Sequence, residues 1–295
     1  MEKSKGFQFI ANLVMLLWTA LVILPFLLLF MSSITSENQL LINGYSFFPK
    51  EFSLESYIYI GKASAKVFNA YKMSIIVTAI GTLVNVLLTT LMAYPLSQRN
   101  LPGRKAMTFF VFFTILFSGG LVPTYIMYTR YLMVKDTIWG LIIPQFLVSG
   151  MNVLLIRTYF ANSVPQALYE AALVDGAGQT RTFWAIALPL GKPIIVTIGT
   201  FSAITYWNDW TNGLYYITKK TELYPIQSFL NKMVTDLQFL TSSNVGSQAS
   251  AELAKVPSTG VQMAIAFVAI LPILVVFPFL QKYYQKGISL GAVKG

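Results

Sequence analysis

The chain is organised around the stretch Tyr169-Glu170-Ala171-Ala172-Leu173-Val174-Asp175-Gly176-Ala177-Gly178. The pattern predicts a short helix that Ser163 or Asn162 caps, with Pro165 in its opening turn. Asp175-Gly176 should end this helix, because glycine readily adopts the left-handed conformation found at helix C-termini. A second helix is predicted from about Gln179 until Pro189 stops it. Each helix is about 15 Å long, about half of a bilayer core, so neither can span a membrane.

Long apolar segments flank this stretch on both sides. A compact pair of helices that flanking spans hold at a membrane face is suited to docking a soluble partner. Small side chains would give the docking surface low relief and allow close approach: Ala167, Ala171 and Ala172.

The composition indicates an integral membrane protein. Of 295 residues, 55% are hydrophobic and only 11% are charged, whereas about a quarter are charged in soluble domains. There is no cysteine and no histidine. This excludes disulfides, thiolate chemistry, zinc sites and the usual general base near neutral pH. We therefore expect no metal site, and an enzyme would have to rely on carboxylates, lysine or tyrosine.

Six apolar runs predict an all-α, polytopic protein with six transmembrane helices. The runs cover about 7–31, 69–97, 106–129, 137–160, 193–217 and 260–281. They divide the chain into three parts: a first span with an extracellular loop at 1–68, a core at 69–281 that includes the short central helices at about 163–188, and a basic tail at 282–295. Basic residues far outnumber acidic ones in the loops on the side of both termini, which predicts that this side is cytoplasmic.

The central stretch also resembles a known family. Glu170-Ala171-Ala172 followed by Gly176, and then by Leu188-Pro189, resembles the EAA loop of the membrane subunits of bacterial ABC importers. The continuation Asp175-Gly176-Ala177 is similar to the MalG-like branch of sugar permeases. The ending Gly291-Ala292-Val293-Lys294-Gly295 resembles the last residues of that branch. A basic tail that meets anionic membrane lipid is the alternative for this ending.

The resemblance implies the type I importer (MetI-like) fold and a set of partners. These are a second homologous permease subunit, a dimer of ATP-binding subunits, and an extracellular solute-binding protein that delivers an oligosaccharide. In such an assembly the ATPase docks on Glu170, Ala171, Ala172, Asp175, Gly176 and Ala177, and the tail residues 291–295 contact it as well. This chain has no phosphate-binding Gly-x-x-x-x-Gly-Lys-Ser/Thr loop. It would therefore bind no cofactor and be no enzyme, and ATP-Mg would bind to its partners in the bacterial cell membrane.

The fifth predicted span carries the clearest candidate for a substrate site. Several polar side chains share one face if this span is a continuous helix, with Trp207 and Trp210 beside them: Thr205, Asn208, Asp209 and Asn212. Carboxamide, carboxylate and indole groups suit a sugar, because they bond hydroxyls and cover the apolar side of the ring. The alternative is an interfacial aromatic belt in which Asp209 snorkels to the membrane surface or bonds a neighbouring helix. A second polar stripe is either a translocation lining or helix–helix packing: Thr78, Thr82, Asn85 and Thr89.

Other function classes fit the sequence less well. An ATP-independent secondary transporter or channel should carry coupling acids in several spans, whereas Asp209 is the only clear one. A membrane enzyme acting on lipid-linked sugars would need clustered acidic motifs for a metal, and the sequence shows none. A DNA-binding helix-turn-helix is excluded because both ends of the central stretch are tethered to spans, and we expect no nucleic-acid partner. The sequence leaves the identity of the sugar open.

Overall fold

The computed structural model describes residues 5–62, 64–242, 259–272, 274, 275 and 278. Within these ranges the chain is helical, and its only β pairing is an isolated bridge between Thr35 and Phe52. The helices are α1 (Lys5–Ser33), α2 (Glu37–Asn43), α3 (Glu55–Lys62), α4 (Ser64–Ser97), α5 (Arg104–Leu116), α6 (Leu121–Ile126), α7 (Trp139–Ile142), α8 (Gly150–Ser163), α9 (Gln166–Val174), α10 (Gln179–Thr182), α11 (Leu188–Leu190), α12 (Lys192–Asn208), α13 (Thr211–Tyr216), α14 (Ile226–Ser242) and α15 (Thr259–Pro272). The chain divides into two compact units, Met1–Phe68 with Leu230–Leu274, and Asn69–Phe229 with Val275–Gly295.

The first unit contains α1, the more apolar of the two described helices that are each long enough to cross a membrane. Its segment Gly6–Ser33 has a mean hydropathy of 2.7 and buries none of its apolar window inside the protein, which suits a helix surrounded by lipid. In the same unit, the carboxylate of Glu37 accepts hydrogen bonds from the backbone N–H groups of Thr259 and Gly260, at 2.9 and 2.8 Å. An acidic group at a helix N-terminus satisfies unpaired donors and complements the helix dipole. Glu37 therefore fixes the start of α15.

The second unit holds most of α4, the other helix that is long and apolar enough to cross a membrane by itself. Three of the predicted spans are broken here rather than continuous. The run 106–129 consists of α5 and the segment Leu121–Tyr131, which are bent by 112°. The break falls at Ser118-Gly119-Gly120, where Gly120 has a positive φ of 80° that other residues adopt only at a cost.

The fourth predicted span, 137–160, is helical only as α7 and the first part of α8. Pro144 and Gln145, whose φ is 66°, lie in the irregular segment between them. The fifth predicted span begins with α12, which is bent by 79° from the preceding segment Gln179–Leu190. The helix of this span is interrupted after Asn208. The described residues contain two helices that could span a membrane, or up to four if each bent pair is one span. Six spans remain a prediction.

Asp136 fixes the loop that follows α13. Its carboxylate accepts hydrogen bonds from the backbone N–H groups of Thr218, Lys219 and Lys220, at 2.7, 2.8 and 3.3 Å. Its own N–H donates to the carbonyl of Tyr216 at 2.8 Å. These donated bonds, that of Lys219 first, stabilise the charged carboxylate and hold the pKa of Asp136 well below its usual range.

Candidate functional sites

The first helix of the central stretch is α9, and it ends as the sequence predicts. The N–H of Ala177 donates to the carbonyl of Ala172 at 2.8 Å, and the N–H of Gly176 donates to that of Leu173 at 3.1 Å. Gly176 has a positive φ of 75°. These two bonds around a left-handed glycine define a Schellman motif. The predicted stop at Asp175-Gly176 is confirmed.

The predicted start of the second helix at Gln179 is also confirmed, whereas the predicted cap of the first helix and the predicted end of the second are wrong. Ser163 is the last residue of α8, and α9 starts after Pro165 without a side-chain cap. At the far end, Pro189 does not stop the second helix, which continues to Leu190. The turn before it, Phe183–Ala187, is π-helical, and the N–H of Leu188 reaches back to the carbonyl of Phe183. This wider turn restarts the helix, so proline occupies an opening position where its missing N–H is tolerated.

An aromatic cluster fixes the central stretch to the end of α4. The ring of Tyr94 in α4 lies 6.2 Å from that of Tyr169, 5.2 Å from that of Phe183 and 6.4 Å from that of Phe160. All four side chains are buried. The hydroxyl of Tyr94 also donates to Oε1 of Gln179 at 3.1 Å, at the start of α10. Helix α9 and the end of α4 are therefore in direct side-chain contact.

Burial of Tyr169 has an electrostatic consequence. It raises the pKa of the Tyr169 phenol to about 12, with a smaller contribution from the neighbouring phenol of Tyr94. The Tyr169 hydroxyl is buried and has no hydrogen-bond partner among the described residues. The side chain therefore acts as a neutral, apolar anchor for α9 at any physiological pH.

The outward face of α9 differs from the predicted surface of three alanines. Ala172 is buried and contributes to the Schellman motif, so only Ala167 and Ala171 are exposed. Glu170 is exposed between them. Apolar side chains that the sequence reasoning missed complete this face, namely Leu173 and Val174, which is 88% exposed. The sequence contained this signal, because Leu173 and Val174 occupy the last turn of the predicted helix, directly before Asp175-Gly176.

Two grooves border this face. One has a volume of about 500 Å³ and runs between Glu170 and the loop at Arg99, with Trp184 in its wall. The other has a volume of about 290 Å³ and is lined by Ala171, Asp175, Ala177 and Arg181 among others. A short, rigid helix between two grooves offers a defined shape to a protein partner. The residues that the sequence predicts for this site lie together, and Ala172 is the buried member of the set.

The polar face predicted for the fifth span is not continuous. Helix α12 ends at Asn208, and Asp209 adopts an extended conformation. Oδ1 of Asp209 accepts hydrogen bonds from the N–H groups of Thr211 and Asn212, at 2.9 and 3.2 Å. Aspartate favours such a position because its carboxylate bonds nearby backbone donors and so competes with the helix. Asp209 therefore caps α13, which supports the structural alternative for its side chain.

The carboxamides near Asp209 also bond the protein itself. Asn212 is fully buried, and its Nδ2 donates to the carbonyl of Pro144 at 3.2 Å. In α4, Nδ2 of Asn85 donates to the carbonyls of Phe146 and Leu147, at 2.7 and 3.1 Å. Oδ1 of Asn85 accepts a hydrogen bond from Ser202 in α12 at 2.6 Å. Asn85 thus joins α4, α12 and the segment before α8, as polar side chains between membrane helices commonly do.

Other polar groups in this region are either exposed or buried without a hydrogen-bond partner in the described part of the chain. Asn208 and Trp210 are exposed. Buried atoms without a partner among the described residues include Oδ1 of Asn212, Nε1 of Trp207 and the hydroxyls of Thr78, Thr82 and Thr89. The predicted substrate residues thus fall into two groups. Some are at least partly exposed, and the others are buried and form hydrogen bonds with backbone groups of the protein.

Comparison with known proteins identifies the family. Residues 4–290 match the model of the binding-protein-dependent transport system inner membrane component. The chain belongs to this family. The permease is 38% identical to Protein LplC of Bacillus subtilis (strain 168), over 94% of its own length and 90% of LplC. It is 34% identical to the polygalacturonan/rhamnogalacturonan transport system permease protein YtcP of the same organism, over 99% and 100% of the two chains.

A solved structure confirms the permease fold. One chain of a bacterial ABC transporter involved in the import of the acidic polysaccharide alginate aligns with the permease at a TM-score of 0.77. The two chains are 28% identical, and the alignment covers 96% of the permease and 99% of the other chain. The predicted all-α, MetI-like permease fold and the predicted family are therefore confirmed. The predicted tail contact, Gly291–Gly295, lies outside the described residues.

Proposed function

We propose that the permease is one of two membrane subunits of an ATP-driven importer of oligosaccharides or polysaccharides. Support comes from proteins it is similar to. The name of YtcP includes polygalacturonan and rhamnogalacturonan. MelC of Bacillus subtilis (strain 168), which is 27% identical, is named as a melibiose/raffinose/stachyose import permease. The aligned solved structure belongs to an alginate importer. In this proposal the permease is a multi-pass protein of the bacterial cell membrane, with both termini in the cytoplasm.

The observation that carries the proposal is the construction of α9 and its turn. The helix ends in a Schellman motif at Gly176, it is anchored to α4 through Tyr169, and it exposes Glu170 and Ala171. A separate ATPase can move a membrane helix only through a contact that stays rigid while both sides move. We assign this role to Glu170, Ala171, Asp175, Gly176 and Ala177, with Ala172 supporting them from beneath.

The remaining partners follow from this role. ATP-Mg binds to the dimer of ATPase subunits, a second homologous permease completes the translocation path, and a solute-binding protein delivers the sugar from outside. In the path we assign sugar contact to Asn208 and Trp207, which are at least partly exposed. Asp209, Asn212 and Asn85 shape the wall behind them through the hydrogen bonds described above.

Reconstitution of the complete complex in liposomes tests this function. The expected result is uptake of a labelled oligosaccharide that requires ATP, the ATPase subunits and the binding protein together. Uptake that an ion gradient drives without ATP would contradict the proposal and favour a secondary transporter. A permease that copurifies with no ATPase subunit in mild detergent would contradict it as well.

A further inference from the structure

A basic cavity lies beside the start of α5, away from the residues assigned to the sugar. It has a volume of about 1020 Å³, and its wall is formed by the loop at 99–103, the first turns of α5, and α8. Four cationic side chains line it: Arg99, Arg104, Lys105 and Arg157. No acidic residue is among the described lining residues, and none of the four cations forms a salt bridge within the described part of the chain.

The local backbone adds to this positive charge. Arg104 and Lys105 are the first residues of α5, whose first turn contains no acidic residue and whose N-cap, Gly103, provides no side-chain hydrogen bond. A helix N-terminus carries a partial positive charge, so cations at this end are repelled and an anion is attracted. Arg157 is held against the cavity wall by a hydrogen bond from its Nε to the carbonyl of Leu96, at 3.3 Å. The cavity therefore presents uncompensated positive charge from three chain segments.

The same cavity has an apolar wall. Phe109 and Phe112 line it and are 60% and 46% exposed. Because α5 begins an apolar run, the cations lie at the end of the helix and the rings lie further along it, toward membrane depth. A soluble anion would use the cations and leave the aromatic wall uncovered.

We propose that this cavity binds an anionic phospholipid such as phosphatidylglycerol. Arg104 and Arg157 bind the phosphate, and the acyl chains cover Phe109 and Phe112. Basic pockets at the membrane surface bind anionic headgroups in this way. Arg99 also lines the groove beside Glu170, so the lipid lies on the same side of the membrane as the coupling stretch. The leaflet follows from the proposed orientation of the permease, whereas the binding site itself does not depend on it.

Lipid titration of the purified, delipidated full-length chain, followed by native mass spectrometry, tests this proposal. The probes are phosphatidylglycerol and phosphatidylcholine with the same acyl chains. The wild type should prefer phosphatidylglycerol. At about fivefold per cation, equivalent to about 1 kcal/mol, Arg104→Gln/Arg157→Gln should weaken phosphatidylglycerol binding about 25-fold. Phosphatidylcholine binding should fall by less, because the choline cation already offsets the charge of its phosphate, so the preference for phosphatidylglycerol should be lost.

Two further variants separate charge from fold. Lys219→Gln/Lys220→Gln removes the same charge from an exposed loop and should bind phosphatidylglycerol as the wild type does. Arg104→Lys/Arg157→Lys keeps the charge and should retain the preference even if the glutamine variant fails to fold. Loss of the preference in the Lys219/Lys220 variant, or wild-type binding by the glutamine variant, would overturn the site. Displacement of the lipid by inorganic phosphate would show that the cavity takes a free anion and would overturn the lipid assignment.

Discussion

Replacing Gly176 by valine tests whether the left-handed turn after α9 is needed for coupling. Nothing lies within 4 Å of the position that a Cβ would occupy, so the substitution causes no clash. Its cost is conformational, because a residue with a side chain enters the left-handed region at about 1–2 kcal/mol, and a β-branched residue at more. If valine leaves this region, the two Schellman bonds are lost as well, at about 1 kcal/mol each. The native turn should therefore be populated at least about tenfold less.

The assay is ATP hydrolysis by the reconstituted complex, with and without loaded binding protein, together with retention of the ATPase during purification. Gly176→Val should insert normally but lose about tenfold in stimulated hydrolysis, if coupling follows the population of the turn at about 1.4 kcal/mol per factor of ten. Gly176→Asn should lose less, since asparagine tolerates the left-handed region.

Gly178 provides the matched control, because it lies in the same turn, has open space for a Cβ, and has an ordinary φ of −68°. The complex that contains Gly178→Val should show the same stimulated ATP hydrolysis as the wild-type complex. Full stimulation in Gly176→Val, or an equal loss in Gly178→Val, would refute the reasoning.

Three further predictions concern other parts of the permease. Tyr169→Phe should leave thermal stability and ATPase retention unchanged, because it removes a hydroxyl without a partner, whereas Tyr169→Ala should cost about 3 kcal/mol or more and release the ATPase. Asp209→Ala should cost about 0.5–2 kcal/mol by removing the cap of α13, and Asp209→Asn should preserve both stability and uptake. Loss of uptake in a stable Asp209→Asn variant would instead indicate contact with the sugar. The hydrogen bonds that depress the pKa of Asp136 stabilise the loop Thr218–Lys220 fully above the ordinary aspartate pKa. This contribution should decline progressively as the pH falls below about 4 and be lost completely only below the depressed pKa. Amide hydrogen exchange of the loop, corrected for intrinsic rates, measures this, and Asp136→Asn should lower protection already at neutral pH.

The sequence predicts those features of the fold that depend on one residue and its nearest neighbours. Gly176 ends α9 because its conformation is a local property of glycine. The helix end predicted at Pro189 is wrong, because a π-helical turn before this proline restarts the helix. Such a turn depends on packing rather than on local preference. Ala172 is buried because Tyr169 anchors the helix in one orientation, which the short pattern alone does not reveal.

The breaks in the predicted spans have a similar origin. Hydropathy measures the apolar content of a segment and contains no information on the direction of the helix axis. It therefore predicts neither the bend at Gly120 nor the end of the helix before Asp209. The shared face of Asn208, Asp209 and Asn212 was inferred from a helical period that ends at Asn208. Polar contacts between distant segments, such as the bond between Asn85 and Ser202, arise only when the helices pack.

Site-specific cross-linking from α9 to the ATPase tests the central claim most directly. Because the chain contains no cysteine, a single cysteine can be placed at the exposed Ala171. A matched cysteine at the exposed Thr218 reports on the loop that Asp136 fixes. In the assembled complex, Ala171→Cys should cross-link to an ATPase subunit over a short span, and Thr218→Cys should give no such product. Absence of the Ala171 product, or an equal yield from Thr218→Cys, would contradict the assignment of α9 and its turn as the coupling element.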